Sequence, residues 1–325
     1  MSKRLQNLLK IVISAGLIIL LLTQIDIRAI ASELVAANGW WVLVTFLLFV
    51  FSIILRAERW KILLDALAIH VPLSLLSRWY FIGAFFNTLL PTGFGGDVVR
   101  MMYLAKYSKQ APSAVGTVIL DRFLGILVLL GLGVLAIPFS GAEISVWVNL
   151  FILAFFIAAA GGFWLIRQER IVRWFQKRVF ALFPTSLRTR IQNLDWLKPL
   201  YIALQGYDHK TLAKALLASL IFNLVWILVN ITAGLALGVS ASLVDYLVFV
   251  PLVSLALLLP SFGGIGVREL SYVGLFTQIG VASETAFAMS IIIYAVTVAT
   301  GLIGGVFLLI QNVTNNQQPT TNNQR

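Results

Sequence analysis

The sequence predicts an all-α, polytopic integral membrane protein, and three observations carry the prediction. Apolar residues make up 60% of the 325 positions, with a mean hydropathy of +0.94. They fall in runs of span length separated by basic clusters, as in helices that thread a bilayer. Two of the runs break at closely similar glycine-rich motifs, the sign of an internal repeat. Charged residues are only 11% of the chain, so no separate soluble domain is expected. Cysteine is absent, which excludes a disulfide framework, a thiolate metal site and a cysteine nucleophile. His70 and His209 are far apart and read as loop residues, so neither a metal nor a cofactor is expected. A net charge of +11 would suggest nucleic acid in a soluble protein. Here the basic residues flank apolar runs, so cytoplasmic loops and anionic headgroups account for them, and no nucleic-acid partner is expected.

The elements follow in order. Lys3, Arg4 and Lys10 precede an apolar run over 11–22, which reads as an uncleaved first span rather than a signal peptide, although Ala29-Ile30-Ala31 resembles a cleavage site. Residues 26–38 read as a short polar loop. The second span covers 40–55 and opens on Trp40 and Trp41, placed for an interfacial aromatic belt. A charged knot, Arg56-Ala57-Glu58-Arg59-Trp60-Lys61, then reads as a helix end: a cytoplasmic anchor or, through Arg56 and Arg59 one turn apart, a clasp for a lipid phosphate. Residues 78–90 are apolar but too few to cross a bilayer, which takes about 20. Spans are expected over 113–139 (interrupted by Asp121-Arg122), 144–166, 215–237 and 285–310, making about six in all. Residues 167–212 are strongly basic and place Ile171, Trp174 and Phe175 on one helical face, which fits a cytoplasmic amphipathic helix in the headgroup layer. Asn223 and Asn230, seven apart, share a helix face as interhelical glue or as pathway lining. Residues 312–325 are rich in Asn, Gln and Thr and read as a disordered tail after a single transmembrane domain over 1–311.

The two motifs carry the chemistry. Leu90-Pro91-Thr92-Gly93-Phe94-Gly95-Gly96-Asp97-Val98-Val99-Arg100 and Leu259-Pro260-Ser261-Phe262-Gly263-Gly264-Ile265-Gly266-Val267-Arg268-Glu269 share seven identical residues, and Tyr103 and Tyr272 follow them. Three spans lie between the copies. The odd number puts the copies, near 87–103 and 257–272, on opposite sides of the membrane as two broken or re-entrant helix pairs of an inverted repeat. Pro91, Gly93, Gly95, Gly96, Pro260, Gly263, Gly264 and Gly266 supply the backbone breaks, whose freed N–H groups can form an anion nest. Arg100 and Arg268 can clasp phosphate oxygens, with Asp97 and Glu269 placed to neutralise them between ligands. Asp121 and Arg122 read as a further opposed pair. The plain alternative is that all of these charges pair with each other and hold the bundle together.

Together with Ile119-Leu120-Asp121-Arg122 and the Arg56 knot, the two motifs resemble the flippase-like transmembrane domain of lysylphosphatidylglycerol synthases and its stand-alone relatives, over roughly 8–310. The charge bias of the loops puts both termini on the cytoplasmic side. The resemblance implies translocation of an anionic or aminoacylated phospholipid, or of a polyprenyl or glycolipid, between leaflets of the plasma membrane. It implies membrane phospholipid as partner, leaves room for a lipid synthase or glycosyltransferase and for a homo-oligomer, and assigns no catalytic residues. The bifunctional members carry a synthase domain after the membrane part, and this sequence stops at Arg325, so no lipid aminoacylation is expected. An intramembrane headgroup transferase or hydrolase, and a non-catalytic partner of a synthase, are the alternative readings. No Ser-His, His-Asp or metal-ligand spacing supports the enzyme.

Overall fold

The structure, a computed structural model, describes residues 21, 23, 25–89, 95–109, 111–139, 145–168, 206–259, 261 and 263–316. Ten α-helices occur among them: α1 (Ile27–Ala36), α2 (Gly39–Ala66), α3 (Leu73–Leu89), α4 (Gly95–Ser108), α5 (Ala111–Ala136), α6 (Val146–Arg167), α7 (His209–Ala236), α8 (Leu243–Ala256), α9 (Val267–Phe276) and α10 (Ser283–Asn316). Five stretches of helix are long and apolar enough to cross a membrane, namely Gly39–Ala66, Ala114–Phe139, Val146–Leu165, His209–Ala236 and Ser283–Gln311. They match five of the six expected spans. The first expected span, apart from Leu21, lies outside the described residues, as do the basic stretch 169–205, Pro91, Gly93, Pro260 and the tail beyond 316.

Several boundaries differ from the sequence reading. Residues 27–36 form a helix rather than a loop, because Asp26 accepts a hydrogen bond from the Arg28 N–H and caps it. Helix α2 does not end at the charged knot but runs eleven residues past Leu55, to Ala66, so Arg56 and Arg59 sit inside a helix instead of at its end. Helix α10 continues to Asn316, into the stretch assigned to the tail. His209 is the first residue of α7, which Asp208 caps through the Thr211 N–H.

Two halves of the chain repeat. Helices α2 and α7 are each 28 residues long and are displaced by 170 positions, as are the starts of α3 and α8. Both long helices end in the same turn. Ile69 N–H reaches back to Leu64 O and Val239 N–H to Gly234 O, each at 3.0 Å, across a left-handed residue, Ala68 (φ 57°) or Gly238 (φ 71°). The packing repeats as well: α3 lies on α10 as α8 lies on α5, and α4 lies on α5 as α9 lies on α10.

The equivalent helices α2 and α7 run antiparallel against each other. Asn38 N–H bonds Ala236 O, Thr45 Oγ1 donates to Thr232 Oγ1 at 2.9 Å, and Arg59 Nη1 donates to Ser219 Oγ at 3.3 Å, so the start of one faces the end of the other. Repeat units whose matching helices are antiparallel are related as an inverted repeat.

Each motif falls in the chain where the two helices of a hairpin join, α3 with α4 and α8 with α9. In the first, Trp79 of α3 stacks on Tyr103 of α4 at 5.8 Å, and Tyr107 Oη reaches the His70 carbonyl, so the chain returns to the end from which it set out. In the second, Tyr246 and Phe249 of α8 pack on Phe276 of α9 at 5.6 and 5.2 Å. Helix α6 packs on few neighbours and leaves Trp147, Phe151, Phe155, Ile157 and Trp164 exposed, an all-round apolar surface that only lipid or another membrane chain tolerates.

Candidate functional site

The first hairpin closes because two glycines meet. A Cβ on Gly96 would sit 2.7 Å from the Gly83 carbonyl carbon, and one on Gly83 would sit 3.0 Å from the Gly96 oxygen. Only glycine at both positions lets α3 and α4 approach this closely. The Gly96 N–H donates to Asn87 Oδ1 at 2.6 Å, so it is not free to bind an anion. The second tip uses backbone freedom instead. Gly263, Gly264 and Gly266 have φ of 60°, 83° and 84°. There the Gly266 N–H is taken by Glu269 Oε2 at 2.6 Å. The anion-nest expectation is therefore corrected at Gly96 and Gly266, whose N–H groups already have acceptors.

The closed first hairpin brings α4 against α2 and α5, and three elements deliver charge to one place. Arg59 of α2 donates from Nε to Asp121 Oδ1 of α5 at 2.7 Å. Arg100 of α4 donates from Nη1 to Asp121 Oδ2 at 3.3 Å and from Nη2 to Asp97 Oδ1 at 2.5 Å. Tyr80 Oη donates to Asp121 Oδ2 at 2.5 Å. Arg122 Nη1 pairs with Asp97 Oδ2. The Asp97–Arg100 pair is the one expected from their spacing. Asp121 and Arg122 do not form the expected opposed pair: consecutive helical residues point about 100° apart, so each finds its partner on another helix. Arg59, Arg100 and Asp121 are nearly inaccessible, whereas Arg122 stands at the rim with 31% of its side chain exposed.

Aromatic rings complete the walls. The Arg100 guanidinium lies 4.0 Å from the Tyr80 ring centroid and 5.1 Å from that of Trp60. Arg56 lies 4.5 Å over Phe222. Gly125, one turn beyond Asp121, leaves room for the Arg59 guanidinium, whose Nη1 would meet an added Cβ at 2.5 Å. Asn223 donates to the Gly125 carbonyl at 2.9 Å, and Asn230 accepts from Tyr272 Oη, so both act as interhelical links; Asn223 lines the cavity as well.

These groups enclose a cavity of about 300 Å³ lined by Arg56, Arg59, Asp97, Arg100, Asp121 and Arg122, together with Tyr80, Asn87 and Asn223. Leu257 and Leu258, just after α8, are among its apolar lining residues, so the second half of the chain also borders it. Arg56 Nε is buried and has no hydrogen-bond partner among the described residues.

Arg268 and Glu269 do not join this cluster. Arg268 packs 4.8 Å over Tyr294 and donates from Nη2 to the Gly263 carbonyl, and its buried Nη1 has no partner among the described residues. Glu269 caps α9 rather than neutralising Arg268. Neither lines the cavity, so the expectation of one headgroup site shared by Arg100 and Arg268 is corrected: only the first motif contributes its arginine. Tyr80, Asn87, Gly83 and Gly125 were missed by the sequence reading. A lone tyrosine in an apolar helix, and a glycine four residues after a buried Asp, were the available signals.

An inverted repeat of long apolar helices around a charged cavity of about 300 Å³ defines a multi-pass membrane protein with an internal polar site. Residues 7–305 match the lysylphosphatidylglycerol synthase TM region, and the chain belongs to that family. It is also similar to the UPF0104 membrane protein PH1989 of Pyrococcus horikoshii, with 23% identity over 324 residues that cover 93% of this chain and 96% of the relative.

Proposed function

We propose that the protein moves a lipid with an anionic headgroup between the leaflets of the cell membrane, with the headgroup held in the Arg56–Arg59–Arg100 cavity and the acyl chains left in the bilayer. One observation carries the reading. Four arginines gather around two aspartates in a cavity between helices of spanning length, where unbalanced charge is costly unless a ligand of opposite sign visits. Membership of a family named for a lipid synthase's membrane region supports lipid as the cargo. Inverted repeats with broken helices suit alternating exposure of a central site. On this reading the two hairpins are re-entrant from opposite faces and both termini are cytoplasmic. The protein is a carrier rather than an enzyme, working beside a lipid synthase or glycosyltransferase.

The test is leaflet exchange of fluorescent anionic lipid by purified protein in vesicles. Wild type should exchange the lipid faster than protein-free vesicles do, and Arg56→Gln should lower the rate at least tenfold while the protein elutes as a folded species. An unchanged rate in Arg56→Gln would defeat the reading. Headgroup turnover without exchange would assign the enzyme alternative instead.

A further inference from the structure

The second motif carries the arginine of the first but not its acid. Matching Phe94-Gly95-Gly96-Asp97 to Phe262-Gly263-Gly264-Ile265 sets Ile265 where the first motif has Asp97. Glu269 is taken by the Gly266 N–H at 2.6 Å. Arg268 is nevertheless buried, with 6% of its surface accessible, and its Nη1 has no partner among the described residues. A buried guanidinium without an acid beside it is costly, so its place in the fold needs a reason.

What Arg268 holds is backbone. Its Nη2 donates to the Gly263 carbonyl at 3.2 Å, and its own N–H donates to the Gly264 carbonyl at 2.9 Å. Its guanidinium rests 4.8 Å over the Tyr294 ring of α10. Arg268 thereby fastens to α10 a turn whose glycines, Gly263, Gly264 and Gly266, all have positive φ. Such a turn has little stiffness of its own, because glycine gives up the most conformational freedom when fixed. Leu257 leans on the turn: a Cβ on Gly264 would sit 2.8 Å from Leu257 Cδ2 and 3.0 Å from Arg268 Nη2. Leu257 lines the charged cavity, whereas Gly264 and Arg268 do not, so Leu257 stands between the turn and the cavity.

We infer that Arg268 is a positioning residue: through the glycine turn it fixes Leu257, and Leu257 sets how far the second half of the chain reaches into the cavity. The second motif thus shapes a site to which it lends no charge. The consequence for cargo rests on the translocation reading, and the position of the wall does not. Without Arg268 the wall loosens, the cavity admits larger groups, and bulky headgroups gain on small ones of equal charge.

The sequence has no cysteine, so single introduced thiols report on the wall without background. Full-length protein in vesicles carries either Ser254→Cys, in α8 one turn before Leu257 and lining the cavity, or Ser52→Cys, which is fully buried and does not line it. The readout is the rate of modification by a small sulfonate-bearing methanethiosulfonate. Arg268→Gln should speed modification of Ser254→Cys at least fivefold and leave Ser52→Cys unmodified. Leu257→Ala, which removes the wall directly, should speed Ser254→Cys as much, and Arg268→Gln added to it should change little more, since residues that act through one contact are not additive. An unchanged rate in Arg268→Gln, equal acceleration at Ser52→Cys, or full additivity with Leu257→Ala would overturn the inference. In the exchange assay, phosphatidylinositol and phosphatidylglycerol carry equal charge and differ in bulk. Arg268→Gln should raise the ratio of their rates, bulky over small, at least threefold. An unchanged ratio beside the expected labelling would overturn the consequence for cargo and leave the wall assignment standing. No exchange of either lipid by folded wild type that labels as expected would overturn translocation and leave the positioning role standing.

Discussion

Arg59 and Asp121 lie 62 positions apart, yet their side chains meet at 2.7 Å with only 4% and 1% of their surfaces accessible. Asp121 also anchors Arg100 and Tyr80, so one carboxylate holds α2, α3, α4 and α5 together. Removing one member of a buried pair strands the other, at a cost of about 3–5 kcal/mol. Asp121→Ala should therefore destabilise the protein by at least that much, since it strands two arginines. Removing Arg59 as well, as Arg59→Met with Asp121→Ala, should recover part of the loss. Denaturant unfolding in detergent reads both. A single variant as stable as wild type would mean that the pair does not hold the bundle.

The Gly83–Gly96 contact makes a separate prediction about the first hairpin. A methyl group at position 96 would press on the Gly83 carbonyl, fixed in α3, and on the Asn87 amide, held by its bond to the Gly96 N–H. Overpacking of this kind costs about 1–3 kcal/mol, and backbone leaves little room to relax. Gly96→Ala should lower the melting temperature and, by shifting α4, weaken anion binding. Gly161→Ala is the control, because an added Cβ there meets nothing within 4 Å. In that exposed helix the change should be neutral or slightly stabilising.

The repeat predicts an asymmetric pair of effects at its matching turns. Ala68 and Gly238 both adopt the left-handed conformation after the long helix of their half. For a residue with a Cβ that conformation costs about 1–2 kcal/mol, part of which is returned by lower entropy in the unfolded chain. Ala68→Gly should be stabilising by up to about 1 kcal/mol, and Gly238→Ala destabilising by about 1 kcal/mol. Parallel thermal scans check both signs. The same sign at both positions would show that the turns are not equivalent.

The fold was legible in the sequence because its spans are long and apolar and because its two motifs share seven residues. What hydropathy hides is where a helix ends when charge enters it. Counting apolar residues stops α2 at Arg56, although the helix continues because Asp121 of another helix neutralises Arg59. The site was half legible. A three-residue spacing places Asp97 beside Arg100, and the structure pairs them. Adjacency suggested Asp121 with Arg122 and Glu269 with Arg268, but neighbours along a helix diverge, and Glu269 finds a backbone N–H instead. Which of two similar motifs keeps its arginine in a cavity depends on the surrounding helices. The local sequence does not contain that information.

Arg56 separates a ligand site from a structural charge network. It forms no ion pair among the described residues, its Nε is buried without an acceptor, and its guanidinium rests on Phe222. If Arg56 were scaffolding, removing it would weaken the bundle. If it awaits an anion, it is a burden on the empty protein, and an apolar residue of similar length should relieve it. Exchanging uncompensated or ionic buried groups for apolar ones stabilises proteins by up to about 1–4 kcal/mol. Arg56→Met keeps the packing on Phe222 and Trp226 while removing the charge. The expected outcome is a melting temperature at or above wild type together with at least a tenfold loss of lipid exchange. Opposite signs in stability and activity would mark Arg56 as a residue kept for its ligand. A lowered melting temperature would place it with Arg59 among the groups that hold the helices together.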